Sequence, residues 1–303
     1  MSFTTTRHLY GGKIEIEYHF FLSSQPENIS PEQLGKMHLF ISVCIFGAFV
    51  SSLQVSGNTM DMERNEGFTR NKRSTNSDAS YFFYQQPDYP RDCKEVFEQC
   101  DGESSDGVYL IQPDGYLEPF PVYCNNTVDG GNWMVIQRRM DGGVEFNRNW
   151  EDYKNGFGFP HRDLWLGNEK LAYITNQKDY EIRFDFVSKS GDPYFAKYNL
   201  FRVSDEGTLY RLVDVGDYDS TSTVGYDALP YSKGMAFTTR DRDNDLYSSN
   251  CATYYNGWWH KGGSGYCAYT YPNYPWSTGP YWNNFPGGNY NIQYIEMKIR
   301  PVE

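Results

Sequence analysis

Apolar segments, alternating in part with polar positions, mark five stretches of the chain, 107–112, 119–123, 133–138, 180–187 and 294–299. Successive side chains of a strand point to opposite faces, so each stretch predicts a β-strand. Turn signals separate them, among them Pro113-Asp114-Gly115, Asp129-Gly130-Gly131 and Asp141-Gly142-Gly143. Helical patterning is sparse: 93–100 predicts a short helix, and 151–153 and 169–175 two further pieces. There is no heptad run, Gly-X-Y repeat or internal period to suggest a stalk or solenoid. The pattern predicts one domain over 91–303, of α+β class but mostly β, with long loops toward its C-terminal third.

Upstream of that domain the pattern changes. Lys36 is followed by an apolar stretch from Leu39 to Val50 and then by Ser51 and Ser52. This is the layout of a secretory signal peptide, read here as 37–56. The stretch is short for a membrane span, which needs about 20 apolar residues, although a signal anchor is the rival reading. Residues 1–36 then read as an upstream extension, with Met37 the working start. Residues 57–90 are polar and irregular, a linker or propeptide. They contain Arg70-Asn71-Lys72-Arg73, which resembles the site cut by furin-type convertases after Arg73; the alternative is an uncut basic cluster.

Composition narrows the function. The net charge of −12 argues against a nucleic-acid partner, which needs clustered Lys and Arg. The 27 tyrosines supply apolar faces with polar edges, suited to binding surfaces as well as cores. None of the six cysteines is spaced C-x-x-C, which removes the simplest thioredoxin-type and zinc-ribbon readings. Outside Cys44, which lies in the apolar run, Cys93, Cys100, Cys124, Cys251 and Cys267 suggest disulfides in an exported protein.

Eleven motifs in fixed order carry a family resemblance. They begin with Arg91-Asp92-Cys93, Gly107-Val108-Tyr109, Phe120-Pro121-Val122-Tyr123-Cys124 and the run from Gly130 to Arg139. Then come Asn147-Arg148-Asn149-Trp150, the run from Tyr153 to Gly158, the run from Leu164 to Asn168 and the run from Thr238 to Asp245. Asn250-Cys251-Ala252, Gly257-Trp258-Trp259 and the run from Glu296 to Pro301 complete the series. Over 91–303 the chain resembles the fibrinogen C-terminal domain of fibrinogen chains, ficolins, tachylectins, angiopoietins and tenascins. The resemblance implies a twisted antiparallel sheet, short helices and a loop-rich calcium-binding subdomain. It also implies the disulfides Cys93–Cys124 and Cys251–Cys267. Cys100 is then left over, for an interchain bond in a disulfide-linked oligomer, a free thiol, or an alternative pairing with Cys124.

The run Asp241-Arg242-Asp243-Asn244-Asp245 offers oxygen ligands of the kind hard calcium needs. It is not an EF-hand, since the required Gly and Glu are missing. The resemblance places the ligands on the carboxylates of Asp243 and Asp245 and the carbonyls of Tyr247 and Ser249; a solvated acidic loop is the plain alternative. In ficolin-like and tachylectin-like members a pocket for acetyl groups of sugars lies beside this loop, and a cis peptide precedes the second cysteine, here Tyr266–Cys267. By position Tyr255 is one wall of that pocket, with Trp276 and Tyr281 further candidates, while Trp258 and Trp259 read as core.

The chain also departs from the family. After Cys267 the usual His is Ala268, the Asn-Gly pair is Asn273-Tyr274, and the run from Lys261 to Gly265 lengthens the loop between the cysteines. Two functions remain: a secreted, calcium-dependent lectin for acetylated glycans on microbes or self glycoproteins, or a ligand or matrix component that binds an extracellular protein receptor. Asn125-Asn126-Thr127 is a glycosylation sequon on Asn125. Beyond the signal only His161 and His260 remain among histidines, and no catalytic motif surrounds either, so the sequence does not read as an enzyme.

Overall fold

All five expected strands are found, within two residues at either end, in the computed structural model. It describes the backbone of 2–10 and 13–21 and, apart from 101, 103 and 264, residues 89–302. The expected signal peptide and the cleavage site at Arg73 lie outside the described residues.

The chain divides into two units, Met1–Phe40 and Ile41–Glu303. In the first, β1 (Ser2–Tyr10) and β2 (Lys13–Phe21) pair antiparallel, from Ser2 opposite Phe21 to Tyr10 opposite Lys13. The alternation Ile14-Glu15-Ile16-Glu17 was the available signal for this hairpin, and the reading above passed over it.

The second unit begins with α1 (Cys93–Gln99), β3 (Gly107–Ile111), β4 (Phe120–Asn125) and β5 (Trp133–Arg139). It continues with α2 (Trp150–Asn155), β6 (Phe157–Gly158), β7 (Leu164–Trp165), α3 (Asn168–Gln177), β8 (Tyr180–Ser188) and β9 (Pro193–Tyr198). Then follow β10 (Arg202–Val203), β11 (Leu212–Asp214), α4 (Ala252–Tyr255), β12 (Thr270–Tyr271), β13 (Tyr281–Trp282) and β14 (Ile292–Pro301). The order β3-β4-β5-β14-β8-β9 makes the main antiparallel sheet, with β6 and β7 attached beside β5. The last strand of the chain, β14, thus sits in the middle of the sheet between β5 and β8. Pro90 already belongs to this unit, because its carbonyl accepts from Gln112 N–H at 2.8 Å.

Alternation sorts the two faces. Ile182, Phe184 and Phe186 of β8 and Ile295, Met297 and Ile299 of β14 are fully buried on the core face. Trp165, Trp258, Trp259 and Trp282 fill the space beneath it, so Trp258 and Trp259 are core residues as expected. The opposite face carries ion pairs: Arg138 meets Glu296 at 2.6 Å, and Arg183 meets Asp185 at 2.8 Å.

Several motif residues have local reasons. Asp92 caps α1 by accepting from Glu95 N–H at 3.0 Å, and its other oxygen accepts from Lys178 and the Tyr180 hydroxyl, both at 2.9 Å. Asn149 caps α2 through Asp152 N–H at 2.9 Å. The disulfides Cys93–Cys124 and Cys251–Cys267 are both present. Cys100 is buried and is also disulfide-bonded, which corrects the free-thiol reading and that of an alternative pair with Cys124.

Candidate ligand-binding and calcium sites

The loop from Asp241 to Ser249 is held from beneath by amide side chains. Asn244 donates to the Phe237 carbonyl at 2.7 Å, and Asn250 donates to that of Thr239 at 2.9 Å. Asp241 faces away, accepting from Trp150 N–H at 2.9 Å and from the Thr239 hydroxyl at 2.7 Å, and so ties the loop to α2. Asp245 accepts from Cys251 N–H and Tyr247 N–H, both at 2.9 Å. Burial pushes its carboxyl above the usual range; the two amides pull the other way, and Asp243 adds like-charge repulsion.

A cation would relieve this arrangement. Arg242, between Asp241 and Asp243 in sequence, turns to Glu206 and over the Trp150 ring, 4.0 Å from its centroid. Among the described residues no Lys or Arg forms an ion pair with Asp243 or Asp245, and none donates a hydrogen bond to the carbonyls of Tyr247 or Ser249. No group of three or more His, Cys, Asp or Glu converges among the described residues. A cation here would therefore rest on two carboxylates and backbone carbonyls, a hard all-oxygen set that fits calcium.

The glycine-rich insert packs on this loop. Leu246 N–H donates to the Lys261 carbonyl at 2.9 Å, and a Cβ on Gly262, at φ +66°, would stand 2.4 Å from Tyr247 N. Only glycine permits so close an approach. Tyr266–Cys267 is a trans bond, and no cis peptide occurs among the described residues, which corrects the cis expectation. Gly262, Gly263 and Gly265, all at positive φ, turn the chain in this segment instead.

Tyr255 ends α4 and lies on Tyr271, centroids 4.3 Å apart. Tyr271 in turn contacts Tyr281 at 5.1 Å, and Tyr281 contacts Tyr290 at 5.0 Å. Tyr274 closes the group, 5.5 Å from Tyr255. Tyr271 is the buried floor, and its hydroxyl accepts from Ala268 N–H at 2.8 Å. The structure thus brings together Tyr255 and Tyr281, two of the three expected pocket residues. It does not bring Trp276. That ring packs against Gly142, where any Cβ would collide with it, and against the Arg139 guanidinium, 5.4 Å from its centroid. Trp276 also lines a separate hollow of about 170 Å³ with Lys189 and Pro280.

Asn273 anchors this loop despite its altered sequence. It is fully buried, donates to the Gly257 carbonyl at 2.9 Å, and accepts from Gln137 of β5 at 3.1 Å. Asn256 donates back to the Asn273 carbonyl at 2.6 Å. Beneath Tyr255, His260 is fully buried and bonded at 2.8 Å to the Asn256 carbonyl. A carbonyl only accepts, so Nε2 carries the proton, and burial depresses the imidazole pKa to about 4.

Tyr271 and Tyr290 were not named as pocket residues from the sequence, and Tyr274 entered only as a departure from the family's Asn-Gly pair. Thr270-Tyr271 and Tyr281-Trp282 form the two-residue strands β12 and β13, with Tyr271 opposite Tyr281. At the far end of the sheet, Asn125 closes β4; its side-chain oxygen accepts from Val128 N–H at 3.1 Å, and Thr127 donates to Asp106 at 3.0 Å.

Comparison with known proteins agrees with this architecture. The chain is 37% identical over 270 residues to Fibrinogen-like protein A of Apostichopus parvimensis, covering 86% of this chain and 93% of that protein. It is 38% identical over 218 residues to Angiopoietin-related protein 2 of Mus musculus, 70% of this chain but only 43% of that protein. This chain therefore matches less than half of that relative's length. The fibrinogen-like globe domain of human ANGPTL2 superposes with a TM-score of 0.65 at 38% identity, covering 71% of this chain and all of the globe. Residues 89–302 match the family described as fibrinogen beta and gamma chains, C-terminal globular domain, and the chain belongs to that family.

Proposed function

We infer that this protein is a secreted, calcium-supported lectin whose tyrosine cup around Tyr255 holds the acetyl group of a glycan. The family is one of binding proteins rather than enzymes, and the chain acts by recognition. The observation that carries the glycan reading is the cup itself. Half-exposed Tyr255, Tyr274 and Tyr281 surround the buried Tyr271 beside the Asp243–Asp245 loop. Apolar ring faces suit a methyl group, and phenol edges suit sugar hydroxyls. Calcium at Asp243, Asp245 and the carbonyls of Tyr247 and Ser249 would brace the loop against which the insert packs. The disulfides support export to an oxidising compartment, and Asn125 is the proposed glycan acceptor.

The test is retention of the folded chain on N-acetylglucosamine resin with calcium, then elution by chelator and separately by free acetylated sugar. Elution by both supports the reading; flow-through of folded, calcium-loaded protein overturns it. A second reading, an extracellular protein partner, is favoured by the relatives named angiopoietin-related proteins. It predicts flow-through together with saturable capture of one protein partner.

A further inference from the structure

Apart from the tyrosine cup, three segments enclose the hollow of about 170 Å³. They are the turn between β8 and β9, with Lys189, the turn from Trp276 to Pro280, and the start of β14, with Ile292. Backbone bonds fix this frame. Lys189 N–H donates to the Asn291 carbonyl at 3.3 Å, and the N–H groups of Thr278 and Gly279 both donate to that of Pro275 at 3.0 Å. None of the cup's rings lines the hollow. Buried Pro280 and Ile292 give it an apolar floor, and half-buried Trp276, held by Gly142 and the Arg139 guanidinium, gives it a wall. Lys189, Ser277 and Thr278 are exposed at its rim.

We propose that this hollow binds a singly charged carboxylate carried on a short apolar body. Its rim holds donors without partners. Among the described residues the Lys189 ammonium meets no carboxylate, and the hydroxyls of Ser277 and Thr278 make no hydrogen bond. Asp192, the acid nearest to Lys189 in sequence, instead accepts from the Ser190 hydroxyl at 2.7 Å. No Asp or Glu lines the hollow, although the chain carries 39 of them. Exposed acids farther away than about 8 Å are largely screened at physiological salt, so the local cation decides the sign. A bond from an ammonium to a carboxylate is about twice as strong as a neutral one. A lone cation suits a single negative charge, and the Trp276, Pro280 and Ile292 surface suits an apolar body rather than an inorganic ion. Drug-sized ligands fill about 300–1,000 Å³, so the occupant is a small organic acid or the last residue of a chain.

The experiment is a ligand-observed NMR titration of the full chain with butyrate, with butyramide as its uncharged counterpart, and with the peptide Ala-Ala-Val as free acid and as amide. Butyrate is expected to bind with a Kd of about 1–10 mM. Butyramide should bind about tenfold more weakly or worse. Lys189→Gln, at an exposed position that spares the fold, should weaken butyrate by about tenfold. Binding of the free-acid peptide but not its amide assigns the hollow to chain ends, and butyrate without the peptide assigns it to free organic acids; either supports the proposal. Butyramide bound as tightly as butyrate overturns it, as does the absence of binding by both acids. Butyrate binding unchanged in Lys189→Gln also overturns it, because the acid then sits elsewhere, as in the cup.

Discussion

Tyr255 lies nearly parallel to Tyr271, with ring centroids 4.3 Å apart and 12° between the planes. One ring comes from the helix that follows Cys251 and the other from the strand that follows Cys267, so the disulfide and the stack bring the same two segments together. Tyr255→Ala removes the exposed member of the stack. It should weaken retention on acetylated resin by about tenfold, the scale of one aromatic contact. Trp276→Ala should leave retention unchanged, because that ring packs on Gly142 and Arg139. Frontal affinity chromatography of the two variants decides whether the site is the cup or the neighbouring hollow.

Calcium should stabilise the domain whether or not sugar binds, since a ligand of the native state alone raises apparent stability. At a hundredfold excess over the dissociation constant the gain is about 2.7 kcal/mol, or about 5–10 °C for a domain of this size. The doubly substituted Asp243→Ala, Asp245→Ala chain should melt at one temperature with and without chelator. An unchanged melting temperature for the native chain on chelation would sink the calcium assignment.

Arg138 and Glu296 form a deeply buried ion pair on the outer face, with side chains 6% and 4% exposed. Burial alone would raise the Glu296 carboxyl, yet Arg138 and Lys298 hold it below the usual range. Glu296→Ala strands a buried guanidinium and should cost about 3–5 kcal/mol in chemical denaturation. Replacing both partners by apolar residues of similar size should restore most of that loss. A single variant as stable as the native chain would show that the pair contributes nothing.

His260 makes stability depend on pH in a defined window. Its folded pKa of about 4 lies below the ordinary value of 6.5, so the unfolded chain binds the proton first. Its contribution is therefore complete above about pH 6.5 and is lost as pH falls toward 4. The displacement corresponds to about 3 kcal/mol. Denaturation midpoints between pH 7 and 4 should fall less steeply for His260→Gln than for the native chain. Identical slopes would show that His260 does not carry this dependence.

Much of the fold was legible because sheet formation follows local alternation. Strand 133–138 and strand 180–187 differ from the observed Trp133–Arg139 and Tyr180–Ser188 by a single residue. Short strands such as β12 and β13 were not legible, because two residues cannot show a period. The role of Asn273 was obscured for another reason: the lost Asn-Gly pair was conspicuous, while the buried partners Gln137 and Gly257 lie far off in sequence.

By itself the sequence determined the strand pattern and, through its motifs, the family and the two disulfide pairs. These depend on neighbouring residues or on residue types held in fixed order. Only the tertiary structure decided that Tyr255 meets Tyr271 and Tyr281 while Trp276 turns to Gly142. It alone placed Tyr231 on Tyr269. A chain holding 27 tyrosines carries no local mark for which rings will touch, since each contact is made by loops that packing brings together from distant segments.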